Sequence, residues 1–187
     1  SIKIRNTIEK IIYKLIVKKI FFLQDPEKVH DRMIKFGKLL GNYKLTRLLT
    51  SLCFNYRNKI LEQEILNIHF KNPVGLAAGF DKNAYLTDIL PAVGFGFIDI
   101  GSITGEPCAG NPKPRLWRLP KSKALVVNYG LANEGCEAIK RRLYNKVFKV
   151  PVDVSVAKTN CKETATFEGG IKDYVKAYQE LANIGNF

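Results

Sequence analysis

Asn72-Pro-Val-Gly-Leu-Ala-Ala-Gly-Phe-Asp-Lys82 is the stretch of sequence that decides the fold. Its first half predicts a short apolar strand over Val74–Ala78, and Gly79–Asn83 then predicts a loop. A helix is predicted over Leu86–Val93 and a second strand over Phe97–Ile100. A strand, a helix and a strand in this order are typical of a parallel βαβ unit.

The sequence after this unit repeats the alternation. Leu116–Leu119 and Ala124–Val127 predict a hairpin, and Val152–Val156 predicts a third strand of the parallel type. Helices are predicted over Glu134–Tyr144 and Tyr174–Leu181. We therefore expect the α/β class, with about the first three strand–helix units of a (β/α)8 TIM barrel, which has eight. On this interpretation the chain is a truncated barrel.

The N-terminal segment has a different pattern. Residues 3–23 predict an amphipathic helix, because apolar side chains fall on one face and lysines on the other. The apolar face comprises Ile4, Ile8, Ile11, Ile12, Leu15 and Ile16, and the basic face comprises Lys3, Lys10, Lys14 and Lys18. A basic amphipathic helix suits a membrane interface, but the periodicity alone equally allows packing on the chain's own domain.

Two more helices are predicted before the first strand. Asp25-Pro26-Glu27 is typical of a helix start with Asp25 as its cap, and Gly41 is expected to end that helix. Lys44–Cys53 predicts a third helix with a leucine stripe, and Glu64–Phe70 then predicts a strand. The first 55 residues are thus expected to form a small and unusually apolar helical unit.

The chain therefore divides into a helical unit over residues 1–55 and the first part of a barrel over 56–187. Its 187 residues include 30 Lys+Arg and 17 Asp+Glu, which gives a net charge of +13. Residues 1–70 carry 14 basic and 6 acidic side chains. Such a charge attracts nucleic acid, anionic lipid or an anionic small molecule. Because no zinc finger, RNA-binding aromatic motif or basic zipper occurs, we expect no nucleic-acid partner.

Several classes of protein are disfavoured by the sequence. Cys53, Cys108, Cys136 and Cys161 are widely spaced without a Cys-x-x-Cys pair, so no metal site is predicted. Reduced thiols in a cytosolic compartment are expected instead. The apolar runs are only a few residues long, which argues against a transmembrane helix. No Gly-x-Gly-x-x-Gly follows a strand, which argues against a Rossmann dinucleotide site.

Small residues at the carboxyl ends of two predicted strands indicate a ligand site. Gly75–Gly79 and Gly101-Ser102 let backbone amides approach a flat or anionic ligand closely, and Lys82 follows the first of them. A tight turn with a solvent-exposed lysine explains the first stretch equally well. Arg118 lies in a basic, proline-rich stretch and is able to meet an anion or a quinone oxygen, although by itself it is better interpreted as a surface arginine.

Four motifs together resemble class 2, quinone-linked dihydroorotate dehydrogenase. They are Asp25-Pro-Glu-Lys-Val-His30, Asn72-Pro-Val-Gly-Leu-Ala-Ala-Gly-Phe-Asp-Lys82, Gly94-Phe-Gly-Phe-Ile-Asp-Ile-Gly-Ser102 and Gly110-Asn-Pro-Lys-Pro-Arg-Leu-Trp-Arg-Leu119. The similarity spans nearly the whole chain in the family's order. It implies an enzyme of pyrimidine synthesis that oxidises dihydroorotate to orotate, with flavin mononucleotide (FMN) as hydride acceptor and a membrane quinone as electron acceptor.

The resemblance also implies residue roles. The expected FMN contacts are Ala77, Ala78, Gly79, Gly101, Ser102 and Ser155. The expected substrate contacts are Lys82, which would hold the carboxylate, and Asn128, Tyr129, Gly130 and Leu131. His30 and Arg118 would line a quinone tunnel beneath the N-terminal helices, so a peripheral location at the cytoplasmic face of a membrane is expected. The catalytic base is expected beyond Phe187.

The sequence departs from the family pattern in two places. Val127 stands where the family usually has Asn, and Asn128 comes one residue later, which on a strand faces the other way. The third strand usually carries Asn followed by Gly-Lys-Asn, but here it reads Ser155-Val-Ala-Lys-Thr-Asn160. Two alternatives therefore stay open: a related FMN barrel that acts on another cyclic amide, and a non-enzymatic, membrane-associated remnant.

Overall fold

The computed structural model describes residues 2–185, and these have an α/β fold. The seven α-helices of that range are α1 Ile2–Ile12, α2 Lys18–Phe22, α3 Pro26–Asn42, α4 Lys44–Phe54, α5 Leu90–Val93, α6 Cys136–Leu143 and α7 Phe167–Leu181. Its seven strands are β1 Gln63–Ile65, β2 Ile68–Phe70, β3 Gly75–Leu76, β4 Phe97–Ile103, β5 Leu116–Leu119, β6 Ala124–Val127 and β7 Val152–Val156. A π-helical segment, Tyr13–Val17, joins α1 to α2, and a 3-10 turn, Lys59–Leu61, precedes β1.

The N-terminal helix forms where the apolar periodicity predicts it. The helix runs without a break from residue 2 to 22, because the junction residues Ile12 and Lys18 keep right-handed helical dihedral angles. None of its side chains is buried. Arg5 ties it to the end of α4 by donating to the carbonyl oxygens of Leu52 (3.1 Å) and Asn55 (3.2 Å). Among the described residues, no helix combines the length and the apolar content needed to cross a membrane.

Helix α3 begins as predicted but does not end at Gly41. The Asp25 carboxylate accepts the backbone N–H of Lys28 at 2.9 Å, and Pro26 occupies the first turn. The helix then continues to Asn42. Gly41 instead allows a close approach, because a Cβ there would lie 3.3 Å from the Cβ of Asp88.

The single strand predicted over Glu64–Phe70 is wrong, because the structure has an antiparallel hairpin of β1 and β2 in its place. The chain reverses at Leu66 and Asn67, whose φ angles are 52° and 61°. Two positive φ angles are what a tight two-residue hairpin turn requires. Leu66 is an unusual residue for such a turn, so the apolar pattern concealed the reversal.

Three parallel strands form the central sheet, in the order β3-β4-β7. Ile98 and Ile100 of β4 are fully buried, as is Val152 of β7, and they belong to a core that also contains Ile139 of α6. Asp99 lies between the two isoleucines and therefore points to the opposite face of the sheet. The parallel order confirms the α/β class, and β5 and β6 form the predicted antiparallel hairpin.

Three predicted helices have different bounds in the structure. α5 starts only at Leu90, since the Asp81 carboxylate binds the backbone N–H groups of Tyr85 (2.8 Å) and Leu86 (2.7 Å) and holds that segment in a turn. α6 is shorter than predicted at both ends. α7 starts seven residues before its predicted first residue, Tyr174, because Thr166 caps it by accepting the N–H of Gly169.

Candidate functional site

A cavity of about 390 Å³ lies at the carboxyl ends of β3 and β4. In an α/β barrel this end of the sheet is where ligands bind. The residues that line the cavity come from α3, the loop after β3, the end of β4, the β5–β6 hairpin and the segment after it: His30, Ala78, Gly79, Phe80, Lys82, Ser102, Leu116, Val127, Tyr129 and Leu131. Most of these side chains are apolar, and Lys82 brings a positive charge to the cavity wall.

The backbone at Gly79 leaves open space on the cavity side. Its N–H donates to the carbonyl oxygen of Gly101 at 2.7 Å, which ties the loop after β3 to β4. Its φ is +99°, and no heavy atom lies within 4 Å of the position that a Cβ would occupy. The Ala78 N–H is held from the other side by the Asp99 carboxylate at 3.1 Å. A flat group is therefore able to lie directly on this backbone.

A second tie joins the ends of β4 and β7. The hydroxyl oxygens of Ser102 and Ser155 are 2.8 Å apart and share a hydrogen bond. Ser102 lines the cavity, whereas Ser155 supports it from behind. A Cβ on Gly101 would lie 2.5 Å from the Ser155 carbonyl oxygen, so the strands approach too closely here for any other residue.

Lys82 is the cation of the cavity. Its Nζ lies 4.0 Å from the centroid of the Tyr129 ring. Within residues 2–185, no carboxylate lies within ion-pair distance of it. Burial lowers the pKa of Lys82, while the negative charges of Asp31 and Glu27 act in the opposite direction. A half-buried ammonium without a carboxylate partner favours an anionic ligand.

His30 joins the cavity to the helical unit. Its ring meets the ring of Phe80 edge-on, with 5.0 Å between centroids. Burial lowers the pKa of His30, and the nearby positive charge of Lys82 lowers it further. The imidazole is therefore favoured in its neutral form.

A second, larger cavity of about 540 Å³ lies between α3 and the loop after β3. It shares His30, Phe80, Lys82 and Tyr129 with the first cavity. These four side chains thus belong to the walls of both cavities, and the second cavity is also lined by charged side chains such as Asp31, Lys35 and Lys113.

Comparison with known proteins identifies the family. The sequence profile of dihydroorotate dehydrogenase matches residues 60–187. The chain belongs to the dihydroorotate dehydrogenase family. Similar curated proteins are the dihydroorotate dehydrogenase (quinone) of Streptomyces griseus, 37% identical over 173 residues, and that of Christiangramia forsetii, 37% identical over 181 residues. These alignments cover 91% and 94% of this chain, but only 46% and 51% of the relatives. The chain therefore spans about half the length of these family members.

A solved structure agrees with this membership. Dihydroorotate dehydrogenase from Eimeria tenella, in complex with ferulenol, superimposes with a TM-score of 0.70 and 28% sequence identity. The match covers 87% of this chain and 42% of that protein. A ligand-free structure from the same organism gives a TM-score of 0.68. These neighbours imply a TIM-barrel type of fold, to which the β3-β4-β7 sheet and its helices correspond.

The structure brings several of the site residues predicted from the resemblance together around the smaller cavity. These are His30, Ala78, Gly79, Lys82, Ser102, Tyr129 and Leu131. Others lie at its edge or behind it: Ala77 follows β3, Gly101 accepts from Gly79, and Ser155 binds Ser102. Gly130 accepts a hydrogen bond from the Cys108 thiol at 3.4 Å.

Asn128 and Arg118 lie elsewhere. The side chain of Asn128 accepts a hydrogen bond from the Asn111 amide at 2.9 Å and does not line the cavity. Arg118 donates to the carbonyl oxygen of Gln24 at 2.7 Å and lies over the Phe22 ring, 4.9 Å from its centroid. Arg118 is thus held by the end of the N-terminal helix.

Sequence reasoning missed four residues at or behind this site. Phe80 and Leu116 line the cavity, and Glu27 and Arg115 form a buried ion pair next to it. Phe80 lies inside the quoted Asn72–Lys82 motif and Leu116 inside the quoted Gly110–Leu119 motif, so the motifs were a signal that could have located both. The ion pair left no comparable signal, because its partners are 88 residues apart.

Proposed function

We propose that this chain forms part of a quinone-linked enzyme that oxidises dihydroorotate to orotate in pyrimidine synthesis, with FMN as its cofactor. One observation carries the proposal: an apolar cavity at the carboxyl ends of β3 and β4 has open backbone at Gly79 and an ammonium group, that of Lys82, at its side. A flat cofactor and an anionic substrate fit these two features. Family membership and the (quinone) names of the relatives also support the proposal.

The residues of the cavity suit FMN. Ala78 and Gly79 offer a small-residue surface, and the hydroxyl of Ser102 offers a polar contact at the neighbouring strand end. Gly101 and Ser155 hold these groups by strand-end hydrogen bonds rather than by lining the cavity, and Ala77 lies between β3 and Ala78. When bound, FMN would accept a hydride from the substrate and pass electrons on to a quinone.

Lys82 is the residue that would bind the substrate carboxylate. Its charge is poorly hydrated in the cavity wall, so a charge-assisted hydrogen bond to a carboxylate is worth more there than at the surface. Because the pKa of Lys82 is lowered, substrate binding should fall as the pH rises through that lowered value. Leu131 and Val127 would offer apolar contacts to the bound ring.

The helical unit over residues 1–55 is proposed to lie on the membrane surface and to admit the quinone beside His30. Support comes from the helix over residues 2–22, whose apolar side chains are exposed while lysines lie opposite. The apolar side chains of α4 are exposed as well: Leu45, Leu48, Leu49 and Leu52. Residues 56–187 would then supply three consecutive strand–helix units of the barrel. The proposal includes a peripheral position at the cytoplasmic face of that membrane.

The test uses the natural protein that carries this sequence. Its flavin absorbance spectrum and its reduction of a quinone by dihydroorotate should both be measured, for the wild type and for Lys82→Met. We expect a flavin spectrum in both, and a KM for dihydroorotate that rises at least about tenfold in Lys82→Met, since one charged contact is lost. Lys121→Met removes an exposed lysine of the β5–β6 turn and serves as the matched control. A wild-type protein without flavin and without dihydroorotate oxidation would overturn the proposal.

A further inference from the structure

A continuous set of contacts leads from helix α3 to the ammonium group of Lys82. Glu27 of α3 and Arg115, which precedes β5, are both buried, with exposures of 6% and 8%. The Arg115 guanidinium donates to the Glu27 carboxylate through Nη2 at 2.8 Å and Nε at 3.1 Å. Lys113 adds a third cationic contact to the same carboxylate at 3.0 Å.

Arg115 also contacts the ring of Tyr129. Its guanidinium carbon lies 4.8 Å from the ring centroid, and Lys82 Nζ lies 4.0 Å from that centroid. The ring therefore has two cations over it. The Tyr129 hydroxyl is buried and has no hydrogen-bond partner within the described part of the chain. The contacts that Tyr129 makes here thus use its ring rather than its hydroxyl.

We propose that Tyr129 is a positioning residue: its ring holds the ammonium of Lys82 in place for the substrate carboxylate, and the Glu27–Arg115 ion pair holds that ring. The inference rests on the proposed function of Lys82. It assigns Tyr129 a role that acts through Lys82 rather than through a hydrogen bond to the substrate.

The physical reason lies in the flexibility of lysine. Four rotatable bonds let an unpaired lysine ammonium move over several ångströms. Binding a carboxylate then restricts this motion, and the lost conformational entropy lowers the affinity. An aromatic face at 4.0 Å attracts the ammonium without neutralising it, whereas a carboxylate partner would compete with the substrate. A cation over the ring thus stays available to an anion.

The ion pair makes this arrangement possible. Arg115 and Lys82 repel each other, and the positive charge of Arg115 lowers the pKa of Lys82. Glu27 lies against Arg115 and acts on Lys82 in the opposite direction. The carboxylate thus allows two cations to share one ring. Since Glu27 belongs to α3, the docking of the helical unit and the position of Lys82 are linked through Tyr129.

The test is orotate binding, measured by calorimetry on the FMN-loaded natural protein. Tyr129→Leu removes the ring and should weaken orotate binding about three- to tenfold, the range expected for a cation–π contact in a partly desolvated site. Tyr129→Phe keeps the ring and should bind orotate within about twofold of the wild type, because the hydroxyl has no partner to lose. Lys121→Met again provides the control.

A second measurement separates positioning from a merely structural role. The alkaline limb of orotate binding reports the pKa of Lys82, which is surrounded by Asp31, Glu27 and His30 of α3, by Arg115 before β5, and by Asp81 of its own loop. Removing the ring withdraws its attraction for the ammonium form. The limb should therefore move to lower pH in Tyr129→Leu and stay in place in Tyr129→Phe.

A fluorinated series keeps the inference testable if Tyr129→Leu does not fold. A phenylalanine with three ring fluorines at position 129 has nearly the shape of phenylalanine but a weaker ring quadrupole. Orotate binding should then be weaker than in Tyr129→Phe. Equal binding in these two proteins would overturn the inference, as would equal binding in wild type and Tyr129→Leu. A wild-type protein that binds FMN but no orotate would instead overturn the proposed function of Lys82.

Discussion

The carboxylate of Glu27 and the guanidinium of Arg115 form a buried ion pair that joins helix α3 to the segment before β5, with Nη2 and Oε1 2.8 Å apart. Arg115 has further partners in the carbonyl oxygens of Ala109 (2.7 Å) and Asn111 (3.0 Å). Each nitrogen of the Arg115 guanidinium therefore has a hydrogen-bond partner. A buried pair with this many hydrogen bonds compensates for the loss of hydration that burial imposes.

Glu27→Gln should destabilise the protein by about 3 kcal/mol, because it leaves the buried guanidinium without a negative partner. Burial raises the pKa of Glu27, but hydrogen bonds from Arg115 and Lys113 outweigh this and hold it below 4.5. The stabilisation is therefore present above pH 4.5 and is lost as the pH falls through the lowered value. Urea unfolding of both proteins at pH 7 and at several lower pH values measures this stabilisation.

The exposed Glu64→Gln variant is the control and should change stability by less than about 0.5 kcal/mol. A difference between Glu27→Gln and wild type that stays constant down to pH 3 would contradict the assignment.

Gly79→Ala should spare the fold and weaken FMN binding. A methyl group at φ +99° costs about 1 kcal/mol in backbone strain but meets no heavy atom within 4 Å. It would occupy the open space proposed for the flavin, so FMN affinity should fall at least about tenfold. Thermal unfolding and a flavin fluorescence titration measure the two effects separately. Gly101→Ala provides the contrast, since its Cβ would lie 2.5 Å from a backbone oxygen and should prevent correct folding. Unchanged FMN affinity in Gly79→Ala would place the flavin elsewhere.

The parts of the fold that depend on local pattern were predictable from the sequence. Strand β7 has the predicted bounds, Val152–Val156, and the β5–β6 hairpin has both predicted strands. In each case the order of apolar residues and turn residues is sufficient. The same reasoning failed at Leu66, where an exposed leucine takes a turn position that sequence patterns assign to Asn or Gly.

The candidate site was predictable only through the family resemblance. Ala78, Gly79, Lys82 and Ser102 lie in quoted motifs, and the structure places them around one cavity. The Glu27–Arg115 pair and the Lys82–Tyr129 contact depend on how α3 docks on the sheet. Such long-range packing leaves no periodic signal in the chain, so sequence reasoning had no means to find it.

His30 should titrate below pH 6.5, since burial and then the positive charge of Lys82 lower its pKa. Because the unfolded chain takes up this proton first, the stability contributed at this position is lost as the pH falls below 6.5. The His30 imidazole is followed by NMR, and its signal is assigned by its loss in His30→Gln. Lys82→Met should raise the pKa of His30 but leave it below 6.5, because the burial of the ring remains. Lys121→Met should leave it unchanged, and a His30 pKa that ignores both lysines would contradict the proximity of Lys82.

Val127→Asn tests which face of β6 meets the ligand. Val127 lines the cavity and is 58% exposed, so an asparagine there is tolerated. Its amide would be able to hydrogen-bond to the bound flavin or pyrimidine. One added hydrogen bond should raise FMN or orotate affinity about two- to tenfold. Val126→Asn places the same amide on the opposite face, beside Trp117, and should leave affinity unchanged.

Asn128→Ala should lower stability by about 1 kcal/mol, through the lost hydrogen bond to Asn111, without weakening ligand binding. If Asn128→Ala weakened binding and Val127→Asn did not strengthen it, the strand would present its other face to the ligand, and the cavity described here would not be the site.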